Sequence, residues 1–111
     1  MYRVVLVDDE VSVLRELQGA VDWTKYEMEI CGAFCSAMEA LAFFETDTAD
    51  IIISDISMPV MDGISMARKL RAERPKIQIL FLSAYEDFSY AREALRLGIH
   101  NYLLKPIDAL E

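Results

Sequence analysis

The sequence predicts a doubly wound α/β domain with a five-stranded parallel sheet. Short continuous apolar runs alternate along the chain with longer amphipathic segments, which is typical of repeated strand and helix units. The run 51–53 consists of three consecutive isoleucines, as expected of a strand buried on both faces. Because right-handed crossovers place helices on both faces of such a sheet, residues 1–111 are expected to form one domain around a continuous core.

Local patterns give the individual elements. The predicted helices follow from apolar residues at helical spacing, from Pro75, which forbids continuation of a helix, and from Gly98 in a C-terminal capping position. Trp23 and Tyr26 are expected in a connector. The predicted strands are 4–7, Met28–Phe34, 51–53, 77–82 and Asn101–Leu104, and the predicted helices are 11–21, a segment with Ala37, Leu41 and Phe44 on its apolar face, 64–74 and 87–97.

Composition excludes some functions. The net charge of -8 argues against direct nucleic-acid binding, which depends on clustered lysines and arginines, although acidity alone also serves solubility. The amino terminus turns acidic too early for a signal peptide, and no apolar run approaches the length of a membrane span. Cys31 and Cys35 lack the spacing of a zinc site and are expected to be reduced thiols in a cytoplasmic protein without membrane contact.

Polar residues follow four of the five predicted strands. Asp8 and Asp9 follow the first, Asp55 the third, Ser83 the fourth and Lys105 the fifth. Because the carboxyl ends of parallel strands lie along one edge of the sheet, where ligands of open α/β sheets bind, these side chains are expected to converge.

Three converging carboxylates repel one another unless a cation, a raised pKa or a neighbouring positive side chain relieves the repulsion. Mg²⁺ suits them, since it prefers oxygen ligands and retains waters that a phosphoryl oxygen can replace. Asp55 is a candidate nucleophile for phosphorus, and Lys105 and the Ser83 hydroxyl are suited to neutralising the transferred charge.

Each of these residues also has a purely structural interpretation. Asp8 and its acidic neighbours could cap a helix and form its acidic first turn, and Asp55 could simply form a turn. Ser83 and Lys105 could each be solvated side chains. The combination at consecutive strand ends favours a functional site.

Four segments together resemble a known family. They are VVLVDDE at 4–10, ISDISMPVMDG at 53–63, LSA at 82–84 and YLLKP at 102–106. With these motifs, which span almost the whole chain, the sequence resembles the receiver domains of bacterial two-component response regulators. The resemblance implies a flavodoxin-like sheet with strand order 2-1-3-4-5.

The resemblance also implies roles for residues of the site. Asp55 would accept the phosphoryl group, and Mg²⁺ would be held by Asp8, Asp9, Asp55 and the backbone carbonyl of Ser57. Ser57 would occupy the position at which the family tunes dephosphorylation.

Three further residues match functional positions near the end of the chain. Lys105 would pair with the phosphoryl oxygens, and Ser83 and Tyr102 would be the switch hydroxyl and the switch aromatic, which move together on phosphorylation. Without the family, Tyr102 would be interpreted as a half-buried strand aromatic.

Trp23 and the segment 83–91 resemble a particular subgroup, in which the receiver is joined to an AraC-type DNA-binding domain. The expected function is a phosphorylation-dependent signalling switch and not an enzyme. A sensor histidine kinase would phosphorylate it, and a homodimer is an expected partner state. DNA would be bound only through a C-terminal domain absent from this sequence.

One departure from the family pattern and several alternatives remain. The chain ends at Glu111, after barely the first turn of the last helix of a receiver, so that helix is expected to be truncated. A haloacid dehalogenase-type phosphatase would require an acid where Ser57 stands. A pseudo-receiver would usually lack an acid or the lysine of the site, and a flavodoxin-like cofactor binder would require a glycine-rich phosphate loop after the first strand.

Overall fold

A computed structural model describes residues 1–20, 22–83 and 101–104, and for Ala20, Ser83 and 101–104 it describes the backbone. The predicted helix 87–97 with its Gly98 cap and the predicted truncated helix after Lys105 lie outside the described residues. The elements are β1 (Tyr2–Val7), α1 (Val11–Ala20), a 3-10 helix (Trp23–Tyr26), β2 (Met28–Phe34), α2 (Ala37–Thr46), β3 (Ile51–Asp55), α3 (Gly63–Glu73), β4 (Gln78–Ser83) and β5 (Asn101–Leu104).

The sheet has five strands in the order β2-β1-β3-β4-β5, and every neighbouring pair is parallel. Both the doubly wound α/β class and the strand order 2-1-3-4-5 are therefore confirmed. The order reverses at β1, so β1 and β3 are neighbours at the switch point where ligands of such sheets bind.

The core has two layers because alternate residues of each strand face opposite sides of the sheet. Ile52 and Ile56 pack on one side with residues of α2 and α3, such as Phe44 and Leu70. Ile53 packs on the other side with α1. The run of isoleucines in β3 thus serves both layers, which is why it shows no polar alternation.

The predicted boundaries hold to within about two residues. β2 and β5 have their predicted bounds. β1 begins earlier than predicted because the Tyr2 amide donates to the Glu27 carbonyl at 2.7 Å and Tyr2 pairs with Met28. α3 begins at Gly63 and ends at Glu73, one residue before the predicted bounds, and both ends of β4 lie one residue after its predicted bounds, at Gln78 and Ser83.

Side chains fix the starts of α2 and α3 at the carboxyl edge of the sheet. The Ser36 hydroxyl caps α2 by accepting the Glu39 amide at 3.2 Å, and the Glu39 carboxylate reaches back to accept the Cys35 amide, one residue before the cap, at 3.1 Å. Asp62 caps α3 by accepting the Ser65 amide at 2.8 Å. Within the part of the chain that the structure describes, no helix has both the length and the hydropathy to cross a bilayer.

Candidate functional site

Strand register brings the predicted site residues to one edge of the sheet. Val7 at the end of β1 pairs with Ser54, so Asp8 and Asp55 are the next positions along two neighbouring strands. Asp55 in turn pairs with Leu82 of β4. The backbone thus places Asp8 and Asp55 at the ends of neighbouring strands on the carboxyl edge, as predicted.

Asp8 is completely buried, at 0% exposure, although it carries a carboxylate. Its amide donates to the Phe34 carbonyl of β2 at 3.0 Å, which extends the β1–β2 pairing by one residue. Its Oδ1 accepts the Glu10 amide at 2.9 Å, and the Glu10 carbonyl then accepts the amides of the first turn of α1. Asp8 therefore helps to start α1, as the structural interpretation proposed, but that task does not require full burial.

The carboxylates of Asp8, Asp9 and Glu10 form a tight group, with one oxygen of each lying within 4.8 Å of the others. Asp8 is buried while Asp9 and Glu10 are exposed. Such a group of hard oxygen donors, partly open to solvent, fits a hydrated Mg²⁺ ion.

The group shares Asp8 and Asp9 with the predicted metal set of Asp8, Asp9, Asp55 and the Ser57 carbonyl, which stays a prediction. Glu10 belongs to it although it was predicted only as an acidic neighbour, and Asp55 does not, although it was predicted as a ligand. Adjacency in sequence, in the run Asp8-Asp9-Glu10 before a helix, was the available signal for Glu10.

Asp55 ends β3 and is 6% exposed. The buried Ser54 hydroxyl donates to the Asp55 carbonyl at 2.7 Å. On the following side, the Gly63 amide donates to the Ile56 carbonyl at 2.7 Å, so the start of α3 is attached directly to this turn. Neither Ser54 nor Gly63 was among the predicted site residues.

Glycine is required at position 63. A Cβ there would lie 2.1 Å from the Asp55 carbonyl oxygen, well inside any contact distance. A glycine at the first position of a helix that follows a strand-end acid was the sequence signal for this close approach.

In the loop between Asp55 and α3, Ile56 and Met58 are buried, Met61 and Asp62 are partly exposed and Pro59 is exposed. Ser57, two residues after Asp55, is exposed. Val60 is 99% exposed and has φ 71°, a left-handed conformation that a β-branched residue rarely adopts. The loop therefore presents strained, accessible chain beside the acidic edge.

The backbone of β5 brings two further predicted residues to this sheet. Tyr102 pairs with Phe81, and Ser83 pairs with Leu104, so the ends of β4 and β5 are level. Leu104 directly precedes Lys105, which lies outside the described residues. The side chains of Ser83 and Tyr102 also lie outside the description, so their predicted roles stay predictions.

Comparisons with known proteins agree with this geometry. The family model described as response regulator receiver domain matches residues 4–111. The uncharacterized transcriptional regulatory protein YesN of Bacillus subtilis is 35% identical over 108 residues, which are 97% of this chain and 29% of that protein. The transcriptional regulatory protein HptR of Staphylococcus aureus is 28% identical over 97% of this chain and 42% of its own length.

A solved structure shows the same architecture. The REC domain of AraT, a response regulator from Geobacillus stearothermophilus, is 33% identical and superposes with a TM-score of 0.91 over 98% of this chain and 84% of that one. The chain thus spans less than half the length of the two curated relatives above and most of an isolated domain of this type.

Proposed function

This chain belongs to the response regulator receiver domain family, a family of signalling rather than catalytic proteins, and we propose that it is a phosphorylation-dependent switch whose phosphoacceptor is Asp55. The observation that carries the proposal is the nearly buried Asp55 at the end of β3, next to the fully buried Asp8 at the end of β1. The family implies a cognate histidine kinase as the phosphoryl donor.

In the proposed reaction, a carboxylate oxygen of Asp55 attacks the phosphorus of a phosphohistidine on the kinase. The new O–P bond forms as the N–P bond breaks, and the released imidazole nitrogen takes up a proton. The chain contributes mainly position and charge, since it holds the nucleophile on a rigid strand end that is covered from solvent.

The acidic edge supports a Mg²⁺ site. Asp8, Asp9 and Asp55, with the Ser57 backbone carbonyl, are the proposed ligands, and Glu10 is placed to hold a metal-bound water because its carboxylate lies within the same group. A bound Mg²⁺ ion would neutralise charge on the incoming phosphoryl group.

Residues on the β4 and β5 side complete the proposed switch. Lys105 would pair with phosphoryl oxygens, and Ser83 and Tyr102 would move together when the phosphoryl group recruits the Ser83 hydroxyl. The level ends of β4 and β5 support this role for Ser83. The added negative charge would then bias a surface read by another domain.

We propose that the whole protein regulates transcription from the cytoplasm. Residues 1–111 would form one receiver domain, a C-terminal AraC-type domain would bind DNA, and a homodimer is a proposed partner state. The relatives YesN and HptR are named transcriptional regulatory proteins and are much longer than this chain. Trp23, whose indole donates to the Leu17 carbonyl at 3.1 Å, closes the end of α1 and is one of the two features that resemble that subgroup.

The decisive experiment is intact-mass analysis after incubation with acetyl phosphate and Mg²⁺. A labile phosphoryl adduct that appears with Mg²⁺ and disappears when the metal is chelated would support the switch. An unmodified chain under conditions in which an established receiver domain is phosphorylated would refute it.

A further inference from the structure

Ser54 is a buried hydroxyl directly before the phosphoacceptor. It is completely buried, and strand alternation places it on the side of β3 where Ile52 and Ile56 pack with α2 and α3. A hydroxyl in such an apolar layer is unfavourable unless it is hydrogen-bonded. The Ser54 hydroxyl donates a hydrogen bond to the Asp55 carbonyl at 2.7 Å. This bond restrains the backbone of the residue that carries the reacting carboxylate.

The same carbonyl is held from a second direction. The Gly63 Cα approaches it so closely that an added Cβ would lie 2.1 Å from the oxygen and 3.1 Å from the carbonyl carbon. The Gly63 amide also donates to the Ile56 carbonyl at 2.7 Å. Ser54 and Gly63 therefore confine the peptide unit after Asp55 between the core of the sheet and the first residue of α3.

We propose that Ser54 and Gly63 are positioning residues that fix the orientation of the Asp55 backbone, and through it the direction of the Asp55 carboxylate, for phosphoryl transfer. The inference rests on the proposed function of Asp55. In-line attack on phosphorus tolerates little displacement, since a shift of about 1 Å in a reacting group can cost about a hundredfold in rate. The Ser54 hydroxyl is directed at the backbone inside the core, so Ser54 would act through Asp55.

The test compares three variants. Ser54→Ala removes the hydrogen bond, Ser54→Thr keeps the hydroxyl on a residue that suits a strand, and Ile52→Val trims an equally buried side chain on the same side of β3 without touching the bond. Gly63→Ala is a poorer probe of position because the clash with the Asp55 carbonyl can prevent folding altogether.

The first readout is the initial rate of adduct formation against acetyl phosphate concentration, at a temperature well below every melting temperature. Ser54→Ala is expected to lower the maximum rate about tenfold or more with little change in the half-saturating concentration. Ser54→Thr should stay within about threefold of the wild type, and Ile52→Val should match it. A role in stability alone would lower melting temperatures and leave these rates unchanged, and equal slowing by Ile52→Val would also overturn the proposal.

The second readout requires no phosphorylation. Hydrogen exchange of the Gly63 amide, which donates to the Ile56 carbonyl, is expected to accelerate in Ser54→Ala and not in Ile52→Val. Unchanged exchange would overturn the positioning role even in a chain that is phosphorylated normally. Accelerated exchange in a chain that takes no phosphoryl group would refute the proposed function and leave the backbone coupling established, so the two failures are distinguishable.

Discussion

The two ends of β3 carry aspartates that the fold treats in opposite ways. Asp50, just before the strand, is exposed, and its carboxylate accepts the Arg3 amide at 2.8 Å. Asp55, at the other end, is 6% exposed and lies beside the buried Asp8. The same residue type thus joins two chain segments at the amino edge and ends a buried strand next to Asp8 at the carboxyl edge, so strand direction separates their roles.

Arg3 links several chain segments at the amino edge. Its guanidinium donates to the Asp47 carboxylate at 3.0 Å and to the Thr48 carbonyl at 2.9 Å. Its carbonyl accepts the Asp50 amide at 2.9 Å. A basic side chain thus compensates the acids at this edge, whereas Asp8, Asp9 and Glu10 gather with one another at the opposite edge, where a cation would be favourable.

The largest expected difference between the two ends is in phosphorylation. Asp55→Asn is expected to abolish the phosphoryl adduct because an amide oxygen is a far weaker nucleophile than a carboxylate. Asp50→Asn should retain the adduct, since the amide oxygen can still accept the Arg3 amide. Intact-mass analysis with acetyl phosphate and Mg²⁺ measures the adduct on both variants. An adduct on Asp55→Asn would mean that another residue is the phosphoacceptor.

Mg²⁺ affinity should distinguish the two edges next. Asp9→Asn is expected to weaken Mg²⁺ binding at least about tenfold, which corresponds to about 1.4 kcal/mol. Asp47→Asn, which removes a charge from the amino edge, should leave it unchanged apart from weak long-range effects that salt screens. Titration calorimetry at physiological ionic strength gives both dissociation constants, and equal weakening by the two variants would argue against a local site.

Two glycines offer a stability test of the close packing on Asp55. Gly63→Ala is expected to lower the free energy of unfolding by about 3 kcal/mol, or to prevent folding, because the added methyl meets the Asp55 carbonyl. Gly19→Ala in α1, with nothing within 4 Å of the new methyl, should raise it by about 0.5–1 kcal/mol. Urea unfolding measures both free energies of unfolding. An unchanged value for Gly63→Ala would mean that α3 can move away from Asp55 at little cost in free energy.

The strained loop gives a smaller effect. Val60→Gly is expected to raise the free energy of unfolding by roughly 1 kcal/mol, because glycine adopts φ 71° without strain and the exposed side chain loses few contacts. Val11→Gly, another exposed valine but at the start of α1, should lower it by a similar amount. Destabilisation by both substitutions would show that the Val60 side chain packs in solution.

The smallest expected difference is in the reactivity of two thiols, Cys31 within β2 and Cys35 just after its carboxyl end. Burial raises the pKa of the Cys31 thiol, so less of it is thiolate at pH 8. Cys35, exposed at the carboxyl edge, should react several-fold faster with iodoacetamide. Peptide mapping of partly alkylated protein measures the ratio, with Cys35→Ser as the control that isolates Cys31.

The fold was largely predictable because its signals are local and agree with one another. The isoleucines of β3 and the helical spacing around Leu14 and Leu17 each specify an element, and strand alternation with helices specifies parallel pairing. The placement of Asp8 and Asp55 at the ends of neighbouring strands followed from that topology alone.

The parts that could not be predicted depend on tertiary contacts. The left-handed conformation of Val60 and the hydrogen bond from Ser54 to the Asp55 carbonyl leave no periodic pattern in the sequence. Likewise, membership of Glu10 in the acidic group depends on how α1 starts, which the Asp8 side chain helps to set.

The β1–β2 ladder contains one irregularity with a consequence for solubility. Val4 pairs with Ile30 and Val5 with Gly32, so Cys31 is an extra residue that forms a bulge in the outermost strand. A bulged strand twists more strongly and offers a poorer template for edge-to-edge pairing with another chain. Deletion of Cys31 is therefore expected to straighten β2 and make this edge strand more prone to intermolecular β-aggregation.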